Sequence, residues 1–170
     1  KKFIKESVKI FGSSTITIAI EALKIEGKYK VYTDTGRTDT NIDVFEWIKE
    51  AQDMGMGEII LTSINNEGIG KGFDLNLYEK ASKLCNISLL AHGGARNLDD
   101  VYKLFINSDV DGAVIASAFH FNYYKELLKR KEISLQGSTN FLIDKDYKKM
   151  FFFEIQELKK YLKSKNINIR

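Results

Sequence analysis

Two apolar segments of the chain end in residues small enough to leave main-chain N–H groups accessible. Leu90-Ala91 runs into His92-Gly93-Gly94, and Val114-Ile115 runs into Ala116-Ser117, with a helical pattern after each. Where a strand passes directly into a helix, unpaired backbone donors and the positive end of the helix dipole converge on an anion. The chemistry predicted for these residues is therefore the binding of a phosphate group.

Two carboxylates are the candidates for general acid–base catalysis. Glu21 directly follows an apolar, β-branched segment, and Glu67 lies in the Gly-rich loop Asn66-Glu67-Gly68-Ile69-Gly70-Lys71-Gly72. That loop resembles a phosphate loop without having the P-loop spacing, and its flexibility suits closure over a ligand. A salt bridge for Glu21 and a solvated surface position for Glu67 are the simpler interpretations.

Other residues stand at the ends of predicted strands, where parallel sheets bind their ligands. We expect contacts with a substrate or its phosphate from Thr35, Thr62, Asn65, Gly68, His92, Gly93, Gly94, Ala116 and Ser117. His92 is either a phosphate ligand or a cap of its strand, whereas His120 is expected to pack as a neutral core residue. Two histidines and one cysteine without metal-ligand spacing predict no metal site, and no cofactor is expected.

The composition is that of one soluble domain without a nucleic-acid or membrane partner. The 170 residues carry a net charge of +3 with both signs interspersed, which disfavours a nucleic-acid platform. No apolar run approaches the roughly 18 residues of a membrane span, and no signal peptide opens the chain. The single cysteine, Cys85, cannot form an internal disulfide, so we expect a cytoplasmic location. Because the chain opens inside an amphipathic helix, we also expect that its beginning has been lost.

Hydrophobic periodicity predicts strands that alternate with helices. Strands are expected at residues 15–20, 58–63, 88–91 and 112–116, with a small hairpin at 23–25 and 29–33. Helices are expected at residues 2–11, 44–54, 75–84 and 98–106, the last capped by Asn97 or Asp99. Residues 34–41 are predicted to be a polar loop, and Glu21 is placed at the C-terminal end of its strand.

Short apolar strands with helical crossovers specify a parallel sheet with right-handed connections. Four such units leave two sheet edges open and fall short of the about 250 residues of a TIM (β/α)8 barrel. We therefore predict an α/β fold of parallel βα units that forms half of such a barrel. Residues 1–170 would be one partial-barrel domain with an extended C-terminal helical segment at about 122–170. A small doubly wound sheet of the 2-1-3-4 order is the alternative.

Three motifs in order carry a resemblance to a known family. They are Leu61-Thr62-Ser63-Ile64-Asn65-Asn66-Glu67-Gly68, Ala91-His92-Gly93-Gly94-Ala95 and Ala116-Ser117-Ala118-Phe119-His120-Phe121. Together with Phe11-Gly12-Ser13 they resemble the cyclase subunit of imidazole glycerol phosphate synthase. The resemblance runs through nearly the whole chain but covers only strands five to eight of that family's barrel, its C-terminal half.

The resemblance implies a reaction and a partner. The family docks a glutaminase subunit at the N-terminal face of its barrel and receives ammonia through the barrel. At the opposite face it converts a phosphoribulosyl aminoimidazole-carboxamide nucleotide into imidazole glycerol phosphate and AICAR, in histidine biosynthesis. The implied roles are acid–base work at the end of strand five, a position that Glu21 occupies, phosphate binding for Gly68, Gly93, Gly94, Ala116 and Ser117, and ammonia entry for Glu58.

This sequence departs from the family at the chemical end of the site. Glu21 replaces an aspartate, Asn65 replaces a second aspartate, Ile69 replaces a threonine, and His92 replaces a serine. One added methylene can misplace a proton by about 1 Å, which costs on the order of a hundredfold in rate.

Two alternatives therefore stay open: an ammonia-channelling paralogue for amidation of a bacterial surface sugar, and a non-catalytic phosphate-ligand binder that regulates a glutaminase. We expect the 170 residues alone to be inactive and prone to associate through unpaired sheet edges.

Overall fold

A computed structural model of the chain describes residues 1–120, 122–123 and 152–169. Most of the segment predicted at about 122–170, namely residues 124–151, lies outside the described residues. The helices are α1 (Lys2–Phe11), α2 (Val44–Asp53), α3 (Leu75–Ser82), α4 (Leu98–Asn107) and α5 (Ile155–Ser164). The strands are β1 (Thr17–Ile25), β2 (Lys28–Thr33), β3 (Thr38–Asp43), β4 (Glu58–Ser63), β5 (Ser88–His92) and β6 (Gly112–Val114).

The six strands form one sheet in the order β3-β2-β1-β4-β5-β6. β1, β4, β5 and β6 are parallel and lie side by side in chain order, and each crossover between them contains a helix. A doubly wound sheet of the 2-1-3-4 order would place a later strand outside the first one, so that alternative is wrong. The parallel α/β units that the periodicity predicts are confirmed, and their sequential order is that of a barrel wall.

Side chains at the helix starts explain where the chain turns from strand to helix. The Asp43 carboxylate accepts from the N–H groups of Phe45 and Glu46 at 2.8 and 3.1 Å. At the start of α4, Asn97 accepts from Asp100 N at 2.9 Å and Asp100 accepts from Asn97 N at 3.1 Å, which completes a capping box. Asn97, rather than Asp99, is therefore the cap of α4.

The parallel register divides the sheet into a buried face and a partly open face. Alternate strand residues such as Ile20, Leu61 and Ala91 are at most 1% exposed and pack under the helices. Glu21 pairs with Thr62, and Thr62 pairs with His92, so these three side chains lie on the opposite face in one row. The fold thus gathers polar residues of three strands on the face that the helices leave uncovered.

Two predicted boundaries are wrong, both near the first hairpin. Glu21 lies inside β1, because that strand continues beyond its parallel partner to pair with β2 up to Ile25. The predicted polar loop at residues 34–41 is too long, because its residues 38–41 belong to β3 (Thr38–Asp43). Their pairing with β2 is reinforced by side chains: Lys30 Nζ lies 3.1 Å from Asp39, and the Thr40 hydroxyl donates to the Val31 carbonyl at 2.6 Å. Backbone pairing at this exposed edge outweighs low strand propensity.

The last helix packs on α4. The rings of Tyr102 and Tyr161 meet edge to face with centroids 6.4 Å apart, and Lys165 Nζ lies 5.6 and 5.7 Å from the two centroids. The Tyr161 hydroxyl donates to Asp99 at 3.3 Å. The chain's last described helix therefore belongs to the same layer as the helices that cover the sheet. Among the described residues, none of the helices has the length and apolar character that crossing a membrane requires.

The capping box of α4 predicts a measurable loss of stability. Asn97→Ala removes the acceptor for Asp100 N, so we expect a loss of about 1 kcal/mol in the free energy of unfolding, measured by urea denaturation. Asn76→Ala, at an exposed position inside α3, is the matched control and should change stability little. Equal effects of the two substitutions would contradict the role given to Asn97.

Candidate anion-binding site

A cavity of about 410 Å³ opens where β4, β5 and β6 end. Three loops line it, one after each strand, and they contribute Glu67, Gly68, Ile69, Gly70 and Lys71, then Gly93, Gly94, Ala95 and Arg96, then Ala116, Ser117 and Ala118. His92 lies between the first two loops and also lines the cavity. The structure thus brings together most of the residues that the sequence proposes for phosphate, and their binding of phosphate stays a prediction.

Glycines allow the first two loops to touch. Gly94 has φ +107°, and a Cβ there would strike the Gly72 carbonyl oxygen; Gly93 has φ +99°, and its Cβ would lie 2.9 Å from the Ser63 oxygen. In return, Gly72 N donates to Gly94 O at 2.8 Å, and Asn66 Nδ2 donates to Gly72 O at 2.7 Å. The positive φ values and the close approach both exclude side chains at these positions.

Two of the main-chain N–H groups that the sequence predicts for binding an anion already donate to a side chain. At the start of α4, Asp100 Oδ2 accepts from the N–H groups of Arg96 and Asn97, at 2.9 and 3.1 Å. The sequence pattern predicts that main-chain donors after Gly94 bind an anion, but the Asp100 carboxylate from the first turn of α4 already accepts from these two. Ser117 begins a helical turn over residues 117–120, in which His120 N donates to Ala116 O at 2.9 Å. The amides of Ser117 and Ala118 have no partner within that turn.

Two cations of the cavity are absent from the sequence-based site. Lys71 lies in the Gly-rich loop and Arg96 directly follows Gly94-Ala95, and both residues line the cavity. Glu67 is the carboxylate that the first loop contributes. A cation beside glycines, in a loop after a strand, is the signal that could have found both residues. Their charges make the lining more attractive to a phosphate than the amides alone.

His92 is held at both its side chain and its backbone. Its Nδ1 lies 3.0 Å from the hydroxyl of Thr62, a residue that is 7% exposed. Its carbonyl accepts a hydrogen bond from the Tyr78 hydroxyl. Burial raises the pKa of that phenol well above its usual range, so Tyr78 remains a donor. Thr62 therefore supports His92 from outside the cavity.

The remaining predicted residues lie outside the cavity. Glu21 Oε2 accepts from Gly36 N at 3.0 Å. Gly36 belongs to the β2–β3 turn, which also contains the exposed Thr35. Asn65 binds the backbone near the end of β1, where its Oδ1 accepts from Lys24 N at 2.7 Å. It is not among the residues that line the cavity. Asn65 thus links the loop after β4 to β1. Glu21 lies on the open face of the sheet together with Thr62 and His92.

Glu58 lies at the other end of that same face. It opens β4, and its carboxylate accepts from the hydroxyls of Thr17 and Ser88 on the neighbouring strands, at 3.0 and 3.4 Å. Four residues of extended strand, roughly 13 Å, separate it from Thr62. Within the described residues, no three His, Cys, Asp or Glu side chains are grouped so that they could hold a metal ion.

Comparison with known proteins agrees with this geometry. Residues 1–125 match the family model described as "Histidine biosynthesis protein". The chain belongs to this family. It is 42% identical over 121 residues to the imidazole glycerol phosphate synthase subunit HisF of Bacillus cereus (strain G9842), covering 71% of this chain and 48% of that protein. It is 37% identical over 131 residues to the HisF subunit of Chlorobaculum parvum, covering 74% and 52%.

The resemblance inferred from the three motifs is therefore confirmed. The chain spans about half the length of the curated relatives that it matches.

The contact between Gly72 and Gly94 predicts a large effect of a single methyl group. Gly94→Ala combines a clash with backbone and an unfavourable φ, so we expect a loss of at least about 2 kcal/mol in the free energy of unfolding. Gly68→Ala is the control, since Gly68 has φ +71° but nothing within 4 Å of the position that a methyl group would take, and it should cost about 1 kcal/mol. Similar losses for both variants would show that the close approach contributes little.

The β2–β3 turn predicts a stabilising substitution. Thr35 is β-branched and has φ +54°, a left-handed conformation that costs such a residue roughly 1–2 kcal/mol. Thr35→Gly should therefore raise the free energy of unfolding by about 0.5–1 kcal/mol in thermal denaturation. Thr33→Gly, at the last residue of β2, should lower it because Thr33 has extended backbone paired with Thr38, and a loss of stability in Thr35→Gly would disprove the strain.

Proposed function

We propose that the chain is the C-terminal half of a (β/α)8 cyclase of the imidazole glycerol phosphate synthase type. It would bind a phosphorylated nucleotide at the ends of its parallel strands and use ammonia from a glutaminase subunit. The products would be imidazole glycerol phosphate and AICAR. The single observation that carries the proposal is the cavity at the ends of β4, β5 and β6, where glycine loops and two cations converge.

The half-barrel part of the proposal is supported by topology and length. Four parallel strands in chain order make half of an eight-stranded wall, and the relatives are about twice as long as the matched region. One face of this sheet is buried under helices, while Glu21, Thr62 and His92 lie on the other face. In a closed barrel that second face would be the interior.

The proposed acid–base group is Glu21. It lies two strands from His92, roughly 10 Å between Cα atoms, so a substrate anchored by its phosphate can reach it. The hydrogen bond from Gly36 N fixes one carboxylate oxygen and leaves the other for the substrate. Glu67, which lines the cavity itself, is the second proposed proton carrier. A positioned carboxylate typically contributes 10²- to 10⁴-fold to such a rate.

The proposed ammonia entry is at Glu58. It shares the sheet face with Glu21 but lies at the opposite ends of the strands, where a glutaminase would dock. Its hydrogen bonds to Thr17 and Ser88 hold the carboxylate over the strand starts. Ammonia entering there would travel along the face toward Glu21.

A specific observation favours a second candidate, the ammonia-channelling paralogue that serves amidation of a bacterial surface sugar. Asn65 stands at the first aspartate of the motif that the family has after strand six, and its side-chain amide is bound to the backbone of Lys24. The phosphate end of the site is retained, whereas this chemical group is committed to structure. Complementation of a histidine auxotroph by the longer protein that contains this chain separates the two candidates, since the paralogue would restore surface-sugar synthesis instead.

The phosphate site predicts binding by the chain itself. Lys71→Met should weaken the affinity for inorganic phosphate about tenfold, measured by calorimetric titration, because a cation is lost from the lining. Lys49→Met on the exposed surface of α2 is the matched control and should leave the affinity unchanged. Absence of phosphate binding by the unaltered chain would refute the proposed function.

Glu21 separates a catalyst from a regulator. In the longer protein, Glu21→Gln keeps an acceptor for Gly36 N but cannot carry the proton, so cyclisation should fall by on the order of 10² or more. Glu46→Gln, at an exposed position of α2, controls for the change in charge. Phosphate binding should be unchanged in both. If no cyclisation is detected before the substitution while glutaminase activation is intact, the non-catalytic regulator is the correct function.

A further inference from the structure

We propose that His92 makes the cavity selective for a doubly charged anion, binding it as an imidazolium that Thr62 holds in place. The proposal rests on the proposed phosphate function and deepens it, because it assigns the charge state and the geometry of one residue. It is carried by the Thr62–His92 pair, which joins the open sheet face to the cavity lining.

The hydroxyl partner gives the ring one orientation in both protonation states. Thr62 Oγ1 can donate to a neutral Nδ1 or accept from a protonated one, so the 3.0 Å contact survives the change. When Thr62 donates to Nδ1, the hydrogen of the neutral ring lies on Nε2. Protonation then adds a charge without removing the Nε2–H donor. The edge of the ring that carries Nε2 faces away from Thr62 and is the edge left for an anion.

Histidine is the one residue type of this lining whose charge ordinarily changes between pH 5 and 8. The first loop contributes the cation of Lys71 and the carboxylate of Glu67, and the second contributes the cation of Arg96. The third loop, residues 116–118, has no titratable side chain. On the sheet, Thr62 separates His92 from the carboxylate of Glu21. Tyr78, which binds the His92 carbonyl, is a buried phenol with a raised pKa.

The balance of these charges explains what the added proton does. With a neutral ring, two cations face one carboxylate, which suits a singly charged anion. With an imidazolium, the lining gains a second net positive charge and suits a dianion. A charge-assisted hydrogen bond is roughly twice as strong as a neutral one, so the imidazolium also contributes a stronger contact.

Sulfate is the probe that tests this, because it remains a dianion between pH 6 and 8 whereas a phosphate monoester takes up a proton near pH 6. Histidine is the residue type that ordinarily changes charge between pH 5 and 8, so the lower pH favours the imidazolium and the higher pH favours the neutral ring. We expect the affinity of the chain for sulfate to fall at least about tenfold between these pH values. His92→Gln should abolish that dependence while it retains weak binding at both.

His120→Gln is the matched control, since the chain has two histidines and His120 is not among the lining residues. It should keep the full pH dependence. Thr62→Val removes the hydroxyl from Nδ1 and should reduce the sulfate affinity several-fold at pH 6 but little at pH 8, where the ring is neutral. A loss of equal size at both pH values would make Thr62 structural only.

Proton NMR of the unaltered chain provides a test that does not depend on a folded variant. Sulfate should shift the titration midpoint of the His92 ring upward and leave that of His120 unchanged. Sulfate binding without any pH dependence, or with a dependence that persists in His92→Gln, would overturn this inference and leave the phosphate function standing. Absence of both sulfate and phosphate binding would instead remove the proposed function.

Discussion

The backbones of Gly72 and Gly94 approach until the N–H of one donates to the carbonyl of the other at 2.8 Å. This contact fixes the spacing between the loop after β4 and the loop after β5. Lys71 directly precedes Gly72 in the first loop. His92 and Arg96 lie two residues before and two residues after Gly94. The cavity therefore depends on two positions that carry no side chain, and its charged groups follow from where those loops are pinned.

The parts of the fold that the sequence predicts well are those where burial determines the pattern. Periodicity predicts β4 at residues 58–63 and α1 at residues 2–11, and both have these bounds in the structure. It predicts the β2–β3 hairpin poorly, because Thr38 and Asp39 pair with Thr33 and Tyr32 at an exposed edge, where no hydrophobic period marks the strand. The predicted position of Glu21 is wrong for the same reason, since β1 is extended by its antiparallel neighbour.

The candidate site is predicted unevenly. Glycines identify the loops, because a strand that ends in Gly-Gly demands an unusual backbone, and the structure gives both residues positive φ. The glycine pattern does not predict which side chains bind one another. The Asp100 carboxylate accepts from two backbone N–H groups that were expected to bind an anion, and Asn65 binds the backbone of Lys24. Such pairings depend on the exact geometry of loops and on contacts between distant residues, which the order of residues along one chain does not contain.

The pairing of Glu21, Thr62 and His92 across three strands also constrains how this chain can change. Inserting or deleting one residue within β4 ahead of Thr62 would move the following side chains of that strand to the opposite face of the sheet, because alternate side chains point to opposite faces. Leu61 or Ser63 would then occupy the polar row, and a hydroxyl would be forced among the helices. Length changes are therefore excluded from the strands and confined to the loops at either end, so that new specificities can arise only at those loops or by exchange of residues within the row.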